Sequence, residues 1–432
     1  MERASTIYQT YTKILRRELV CAMGCTEPIA VAYCAAKARA ALGTLPERIE
    51  VRASGNVIKN VKSVVVPSTN GGRGIAVAAA IGVLGGDENA ELEVISHVSD
   101  EAKARLSDYL AATLVEVQPL ESAHILDLSV AVFAGGHHAR VRIADKHTNI
   151  VLIERDGEIV CEKSPSAPAE PEADELDYSL LSVSGICDFA ATCDLADIAP
   201  VLRRQIELNG AIADEGLKHN YGANIGKVLL TTGGDLRTRA KARAAAASDA
   251  RMNGCEMPVV ICSGSGNQGI TASLPVVEYA RALGKSEDEL LRALAVSNLV
   301  TLHEKNGIGR LSAYCGAVSA SAGAGAGIAW LLGGGEDAVA HTIVNALAIT
   351  SGIVCDGAKS SCAAKIAMAT EAGLFGYEMY ANGQQFLGGD GLVVKGVENS
   401  IASFSRLARI GMKETDQEII RMMTEQNGQR QP

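Results

Sequence analysis

Three cysteines, Cys315, Cys355 and Cys362, stand among small and mostly uncharged residues in the last third of a 432-residue chain. Three thiolates are one short of the four cysteine ligands that a [4Fe-4S] cluster usually takes. A cluster held by three cysteines has one iron open to substrate, and an open coordination position distinguishes a catalytic metal site from a structural one. The three cysteines therefore predict an enzyme that uses an open iron as a Lewis acid.

The residues alone leave other interpretations of these cysteines open. Free cysteines often behave as small buried hydrophobic residues. A structural zinc site is less favoured, because the chain contains no Cys-x-x-Cys pair. Cys355 and Cys362 would share one face of a regular helix, but Gly352 and Gly357 make an irregular segment equally compatible. Cys315 lies at a predicted helix start.

A glycine-rich segment, Gly264-Ser-Gly-Asn-Gln-Gly269, matches the G-x-G-x-x-G pattern of dinucleotide-binding turns. Pro275 falls within the expected crossover helix, and no strand ending in Asp or Glu follows about twenty residues later. We therefore favour a loop of backbone N–H groups at a helix N-terminus, which suits a carboxylate. The polar side chains of this loop are Ser263, Ser265, Asn267 and Gln268.

The segment Gly24-Cys-Thr-Glu-Pro28 places a thiol at the start of a predicted helix. A helix dipole favours negative charge at this end, so we expect a lowered pKa for Cys25 and a thiolate. The alternative is a capping residue without a catalytic role.

Composition restricts the classes of partner. The formal charge of −10, the pI near 5.4 and the lack of a basic run argue against a nucleic-acid partner. The eleven cysteines form no evenly spaced framework and the first residues do not resemble a signal peptide, which predicts a cytoplasmic location. Residues 312–335 carry no charge over 24 positions, but they are mostly Gly, Ala and Ser. We therefore expect a buried helix and no membrane partner.

The hydrophobic pattern predicts an α+β fold, with a mostly α-helical catalytic domain and an inserted small α/β domain. Residues 5–41 have helical spacing that is broken at 24–28, where Pro28 suits a first helical turn. Runs rich in β-branched residues predict strands at 47–53, 61–66, 91–97, 113–118, 125–133, 138–144 and 149–161, with a helix at about 72–85. Helical periodicity then dominates the C-terminal part.

Four regions follow from this pattern. We expect N-terminal helices that pack on the catalytic domain at 1–45, and a small α/β domain at 46–162. A linker rich in proline and acidic residues occupies 163–175. The all-helical catalytic domain spans 176–432.

Five short motifs carry a resemblance to a known family. They are Gly24-Cys-Thr-Glu-Pro28, Ser248-Asp-Ala-Arg-Met252, Ser263-Gly-Ser-Gly-Asn-Gln-Gly-Ile270, Arg310-Leu-Ser-Ala-Tyr-Cys315, and Ile353-Val-Cys-Asp-Gly-Ala358 with Cys362. Together they closely resemble the iron–sulfur L-cysteine desulfidases, part of a wider group of the L-serine dehydratase alpha-chain type. The resemblance extends to Asp416. More distantly, the chain is similar to bacterial iron–sulfur L-serine dehydratases.

The resemblance implies roles for particular residues. Cys315, Cys355 and Cys362 would hold a [4Fe-4S] cluster, and Cys25 would be the general base. Asn56, Lys59 and the His147-Thr-Asn149 turn match polar positions that face the site in this group. The expected substrate-binding residues are Thr26, Glu27, Asn56, Lys59, His147, Asn149, Ser263, Ser265, Asn267 and Gln268.

Two departures from the serine dehydratases favour a thiol substrate. The gap between Cys355 and Cys362 is shorter than theirs, and a cysteine occupies the base position where they carry a Ser-Ser-His-Thr-type motif. The expected activity is therefore β-elimination of L-cysteine to hydrogen sulfide, pyruvate and ammonia by a homodimer. The alternatives are an L-serine dehydratase, a cluster-bearing redox sensor and a nucleotide-binding regulatory protein.

Overall fold

The computed structural model describes residues 1–163, 176–309 and 311–425. The predicted linker, apart from Lys163, lies outside the described residues. The helices are α1 (Thr6–Glu18), α2 (Thr26–Leu42), α3 (Gly55–Val61), α4 (Ile75–Gly85), α5 (Asp100–Ala112), α6 (Val183–Thr192), α7 (Ala199–Lys218), α8 (Ile225–Thr232), α9 (Leu236–Met252), α10 (Gly266–Ala282), α11 (Glu287–Ile308), α12 (Gly316–Leu331), α13 (Gly335–Thr350), α14 (Cys362–Ala381), α15 (Val397–Arg406) and α16 (Lys413–Glu425). The strands are β1 (Cys21–Met23), β2 (Arg48–Ala53), β3 (Leu114–Pro119), β4 (Asp127–Ala134), β5 (His137–Ala144), β6 (Ile150–Arg155), β7 (Glu158–Glu162) and β8 (Pro258–Val260).

A six-stranded sheet with the order β3-β2-β4-β5-β6-β7 forms the small α/β part. Strands β2 and β3 are parallel and the other neighbours are antiparallel. Alternate residues of β4, including Leu128, Val130 and Val132, are fully buried. This alternation matches a sheet that covers a core with one face. The predicted α+β class is confirmed.

Helix α2 packs in the core beneath this sheet, together with α4. Close packing of the two helices depends on small residues, because a Cβ added at Gly82 would lie 2.3 Å from the Ala32 carbonyl oxygen. Helix α1 instead contributes Tyr8, Tyr11 and Ile14 to the core of the helical part. The two N-terminal helices therefore pack on different cores.

The helical part surrounds α12, which lies against α10, α11, α13 and α14. Glycines allow these close approaches: a Cβ at Gly325 would lie 2.6 Å from the Gly373 carbonyl oxygen. Nearly every residue of α12 is buried, which confirms the predicted buried helix within 312–335. Within the described ranges, no helix combines the length and apolar character that a membrane crossing requires.

Three strand predictions are wrong. Residues 61–66 follow α3 and form only an isolated bridge, from Val65 to Arg73, while residues 91–97 begin with a 3-10 turn. The first segment carries buried valines and the second carries a buried valine and isoleucine, and this mimics the composition of a strand. Residues 149–161 form two strands, because Asp156 and Gly157 adopt positive φ and make a hairpin turn. Helix α5 was not predicted.

A short antiparallel ribbon joins the N-terminal region to the helical part. Strand β1 pairs with β8, with Cys21 opposite Val260 and Met23 opposite Pro258. Each strand leads directly into a loop and a helix N-terminus: β1 into α2, and β8 into α10. The ribbon therefore brings two of the predicted chemical motifs together.

Candidate functional site

Four helix N-termini converge on one cleft between the α/β part and the helical part. The residues at these termini that line it are Cys25 before α2, Ser265 before α10, Cys315 before α12 and Cys362 at the start of α14. The cleft contains about 850 Å³ of empty space, including volume open to solvent. The positive ends of four helix dipoles favour negative charge here.

Backbone pairing brings the three predicted ligand cysteines together. Tyr314 and Val354 form an antiparallel bridge. The Cys315 N–H donates to the Ile353 carbonyl at 3.2 Å, and the Cys355 N–H donates to the Ala313 carbonyl at 2.6 Å. Segment 351–361 is irregular and α14 starts at Cys362, so Cys355 and Cys362 do not share a regular helix.

The thiols of these cysteines influence one another. Burial, together with the neighbouring Cys355, raises the pKa of Cys315 to about 12. Burial also raises the pKa of Cys362. The Lys365 ammonium, which donates to the Val354 carbonyl at 3.1 Å, opposes both shifts. Metal binding requires thiolates, and Lys365 and the helix N-termini favour that charge state.

Three thiols line the cleft, those of Cys315, Cys355 and Cys362. Across the parts of the chain that the structure describes, no three His, Cys, Asp or Glu side chains are close enough to share one metal ion. The usual ligands of an iron–sulfur cluster are cysteine thiolates, and the three thiols are donors of that kind.

Cys25 lies in a small buried group with Val64, Met252 and Ala358, and Cys362 packs against this group. The position of Cys25 immediately before α2 confirms the predicted helix start. The predicted lowering of its pKa is wrong: burial and the nearby Glu27 carboxylate raise the pKa well above its usual value. The Cys25 thiol donates to Glu27 Oε2 at 3.0 Å, so it is held in its protonated form.

Glu27 is the centre of a buried polar network. Its Oε2 also accepts from the Thr26 hydroxyl at 3.2 Å, and its Oε1 accepts from Asn60 Nδ2 at 2.9 Å. His147 Nε2 lies 3.6 Å from Oε1. Burial raises the pKa of Glu27, but His147 and the Cys25 thiol outweigh it and hold the pKa well below its usual range. Glu27 is therefore a carboxylate that accepts a hydrogen bond from the Cys25 thiol.

The glycine-rich loop forms the neighbouring edge of the cleft. Ser263 and Gly264 both have positive φ, and the Gly264 carbonyl accepts from the Thr26 hydroxyl at 3.1 Å. Strand β8 pairs only with the antiparallel β1, whereas a dinucleotide-binding turn follows a strand of a parallel sheet. The structure therefore contradicts the dinucleotide interpretation and confirms a loop at a helix N-terminus.

Comparisons with known proteins agree with this architecture. The profile of the serine dehydratase alpha chain family matches residues 89–421. The chain belongs to this family. A UPF0597 protein of Desulfitobacterium hafniense strain Y51 is 56% identical over 428 residues, covering 99% of both chains. UPF0597 proteins of Lachnoclostridium phytofermentans and Treponema denticola are 48% and 44% identical, covering 96% of this chain and 100% and 98% of theirs.

Most of the predicted substrate-binding residues line the cleft of this serine dehydratase alpha chain family member. They are Thr26, Glu27, Lys59, His147, Ser263, Ser265, Asn267 and Gln268. Asn56 lies instead in a neighbouring cavity, where its Nδ2 donates to Asp416 Oδ2 at 2.9 Å. Asn149 shapes its own turn by donating to the Ala144 carbonyl at 2.9 Å.

Lys59 pairs with Asp416 of helix α16. Its Nζ lies 2.6 Å from Asp416 Oδ1, and only 1% of the Lys59 side chain is exposed. Its backbone carbonyl accepts from Lys359 Nζ at 3.2 Å. A Cβ at Gly357 would lie 2.4 Å from the same carbonyl oxygen, so α3 rests directly on the segment that carries two of the cysteines.

Sequence reasoning missed two polar residues of the cleft. Arg251 is 3% exposed and donates from Nη1 to Asn267 Oδ1 at 3.1 Å. Burial lowers its pKa, while Cys25 and Glu27 oppose this shift. Asn60 supports Glu27 as described above. Arg251 belongs to one of the five family motifs, and its position in an otherwise alanine-rich helix was an available signal.

Proposed function

We propose that this protein is an L-cysteine desulfidase, which removes sulfide from L-cysteine by β-elimination and leaves pyruvate and ammonia. The observation that supports the proposal is the meeting of Cys315, Cys355 and Cys362 with the Cys25–Glu27 pair across one cleft. Family membership supports the coarser reaction class, because serine dehydratases also remove a β-substituent from a small amino acid.

The residues that would hold a [4Fe-4S] cluster are Cys315, Cys355 and Cys362. When bound, the cluster would supply a Lewis acid that stabilises the departing sulfur. Around it, the four helix N-termini and Lys365 offset the negative charge of thiolates and substrate.

The Cys25–Glu27 pair handles the α-proton in this proposal. Glu27 Oε2 orients the Cys25 thiol through the 3.0 Å hydrogen bond. Cys25 would release its proton to water before the reaction, favoured by the Arg251 guanidinium and the positive end of α2, and the resulting thiolate takes the proton from the substrate Cα. The electron pair of the Cα–H bond forms the Cα–Cβ double bond as the C–S bond breaks. The products are sulfide and aminoacrylate, which water converts to pyruvate and ammonia.

The glycine-rich loop would orient the substrate. Its backbone N–H groups at the start of α10, with the side chains of Ser265 and Gln268, offer donors to a carboxylate. The Thr26 hydroxyl holds this loop against the Cys25 turn through the Gly264 carbonyl. The substrate would therefore lie with its Cα between the loop and the base.

The test is a substrate comparison under anaerobic conditions, with iron and acid-labile sulfide measured per chain. We expect reconstituted protein to release pyruvate and sulfide from L-cysteine faster than it releases pyruvate from L-serine. Faster release from L-serine would establish the serine dehydratase alternative that the family description favours. Absence of turnover with both substrates in iron-loaded protein would contradict an elimination enzyme.

A further inference from the structure

Arg251 is a buried cation with no carboxylate in direct contact. Within the described ranges, no carboxylate lies within 4 Å of its guanidinium, although Glu27 and Cys25 are near enough to favour its charge, and Nη1 donates to the neutral Asn267. Its Nε is buried without a partner. A guanidinium remains charged in proteins, and burying a charge without a partner is costly. A buried guanidinium of this kind is expected where a bound ligand supplies the negative charge that it lacks.

The glycine-rich loop makes room for this side chain. A Cβ at Gly266 would lie 2.2 Å from Arg251 Nε and 2.6 Å from Cζ. The guanidinium therefore lies directly over the first residue of α10, beside the N–H groups of that helix start. A fork of N–H donors and a helix N-terminus both favour an anion.

Two other charged groups of the cleft already have partners. Lys59 is paired with Asp416 at 2.6 Å. Glu27 accepts hydrogen bonds from Cys25, Thr26 and Asn60. Arg251 lies near Cys25 and Glu27, so an anion bound to its guanidinium would lie close to the proposed base.

We propose that Arg251 binds the α-carboxylate of the amino-acid substrate and makes the cleft selective for α-amino acids over simple aminothiols. This proposal rests on the proposed function only in taking an amino acid as the ligand. Asn267 holds the guanidinium in place through Nη1, and the remaining N–H groups face the carboxylate in a two-bond contact. A planar fork matches a carboxylate in a way that a lysine ammonium does not.

Two small thiols test the contribution of the substrate carboxylate to binding separately from that of the ammonium group. 3-Mercaptopropionate has the thiol and the carboxylate, whereas cysteamine has the thiol and the ammonium. Their dissociation constants can be measured by anaerobic calorimetry on cluster-loaded protein, without any turnover. The proteins compared are wild type, Arg251→Gln, Arg251→Lys and Arg243→Gln. Arg243 is the matched control, because it lies on the same helix and pairs with Asp214 at 2.7 Å outside the cleft.

We expect Arg251→Gln to weaken 3-mercaptopropionate binding by roughly 10- to 100-fold, the range for a lost charge-assisted contact. Cysteamine binding should change by no more than about 3-fold, and Arg243→Gln should change neither. Circular dichroism and iron content establish that each variant is folded. If the Gln variant does not fold, Arg251→Lys decides, since it keeps the charge but loses the fork and must still weaken 3-mercaptopropionate selectively.

Equal weakening of both thiols, or unchanged binding of 3-mercaptopropionate, would overturn the assignment of Arg251. The proposed function fails separately: it falls if wild-type protein binds both thiols but does not turn over L-cysteine. A selective effect of Arg251→Gln in such a protein would still support the carboxylate contact.

Discussion

The two walls of the cleft are built by different means. On the helical side, backbone hydrogen bonds between segments 313–315 and 353–355 position Cys315 and Cys355, and α12 is packed through glycine. On the opposite side, side chains position one another: Glu27 accepts hydrogen bonds from Cys25, Thr26 and Asn60. In the proposed function this difference corresponds to a division of labour, in which one wall would hold a cofactor and the other would manage protons.

Loss of a cysteine from the helical wall should have the largest effect. We expect Cys315→Ser, Cys355→Ser or Cys362→Ser each to lose most of the bound iron and at least roughly 100-fold in activity, the upper range for changes next to metal ligands. Iron, acid-labile sulfide and pyruvate release measure both effects. Cys161→Ser, on β7 outside the cleft, is the control. Retained iron in all three variants would contradict the assignment of this wall.

Replacement of Cys25, on the opposite wall, should separate iron binding from proton transfer. We expect Cys25→Ser to retain iron and sulfide while pyruvate release falls by roughly 100-fold or more, within the usual contribution of acid–base catalysis. The physical reason is that a hydroxyl is a much weaker acid than a thiol and forms an anionic base far less readily. The same iron assay and a rate measurement check this. If the variant loses iron, Cys25 is a ligand and the division between the walls is wrong.

The link between Asp416 and Lys59 stabilises the second wall from outside. Asp416→Asn leaves the Lys59 ammonium, whose side chain is 1% exposed, without its carboxylate partner. We expect the free energy of unfolding to fall by about 2–4 kcal/mol, close to the range for a broken buried pair. Urea unfolding measures this change. Asp100→Asn, at a fully exposed position, is the control and should leave the urea midpoint unchanged.

The surroundings of two buried carboxyl groups shift their pKa values in opposite directions. The pKa of Glu27 is held down, whereas burial raises the pKa of Asp249 on α9 to about 6. The folded protein therefore binds a proton at Asp249 between about pH 4 and pH 6 that the unfolded chain does not bind. The resulting stabilisation is full below about pH 4 and is lost as the pH rises through 6.

Asp249→Asn should remove this dependence and have the smallest effect of the four changes. The amide oxygen can still accept from the Gly226 N–H, as Asp249 Oδ2 does at 3.0 Å. Between pH 4 and pH 7 we expect wild type to lose about 1–3 kcal/mol of unfolding free energy relative to the variant. Urea unfolding at each pH measures it. If the unfolding free energies of the two proteins change with pH in parallel, Asp249 does not titrate in this range.

The sequence predicted those parts of the fold and site that depend on short-range signals. Pro28 and the surrounding Gly-Cys-Thr-Glu segment marked the start of α2, and the glycines of 264–269 marked the loop before α10. The contact between Tyr314 and Val354 joins segments forty residues apart, and no local pattern specifies it. The proximity of Cys315 and Cys355 therefore came from family resemblance rather than from periodicity.

Predictions from the local sequence pattern failed where burial in the folded protein decides the outcome. Val64, Val65 and Val66 are buried in an irregular segment, and their β-branched side chains resembled a strand. The pKa of Cys25 depends on burial and on Glu27, and these outweigh the helix dipole that the sequence suggested. The position of the Arg251 guanidinium depends on its contact with Gly266, and only the tertiary packing creates that contact.

The pairing of β1 with β8 has a consequence for biosynthesis. The ribosome adds residues 258–260 long after residues 21–23, and at 5–20 residues per second the interval is roughly 10–50 s. Throughout this delay the nascent Cys25 turn has no strand to anchor it, although the sheet and α2 can already assemble. The Cys25 turn therefore reaches its final position beside the glycine-rich loop only after residue 260 has been synthesised.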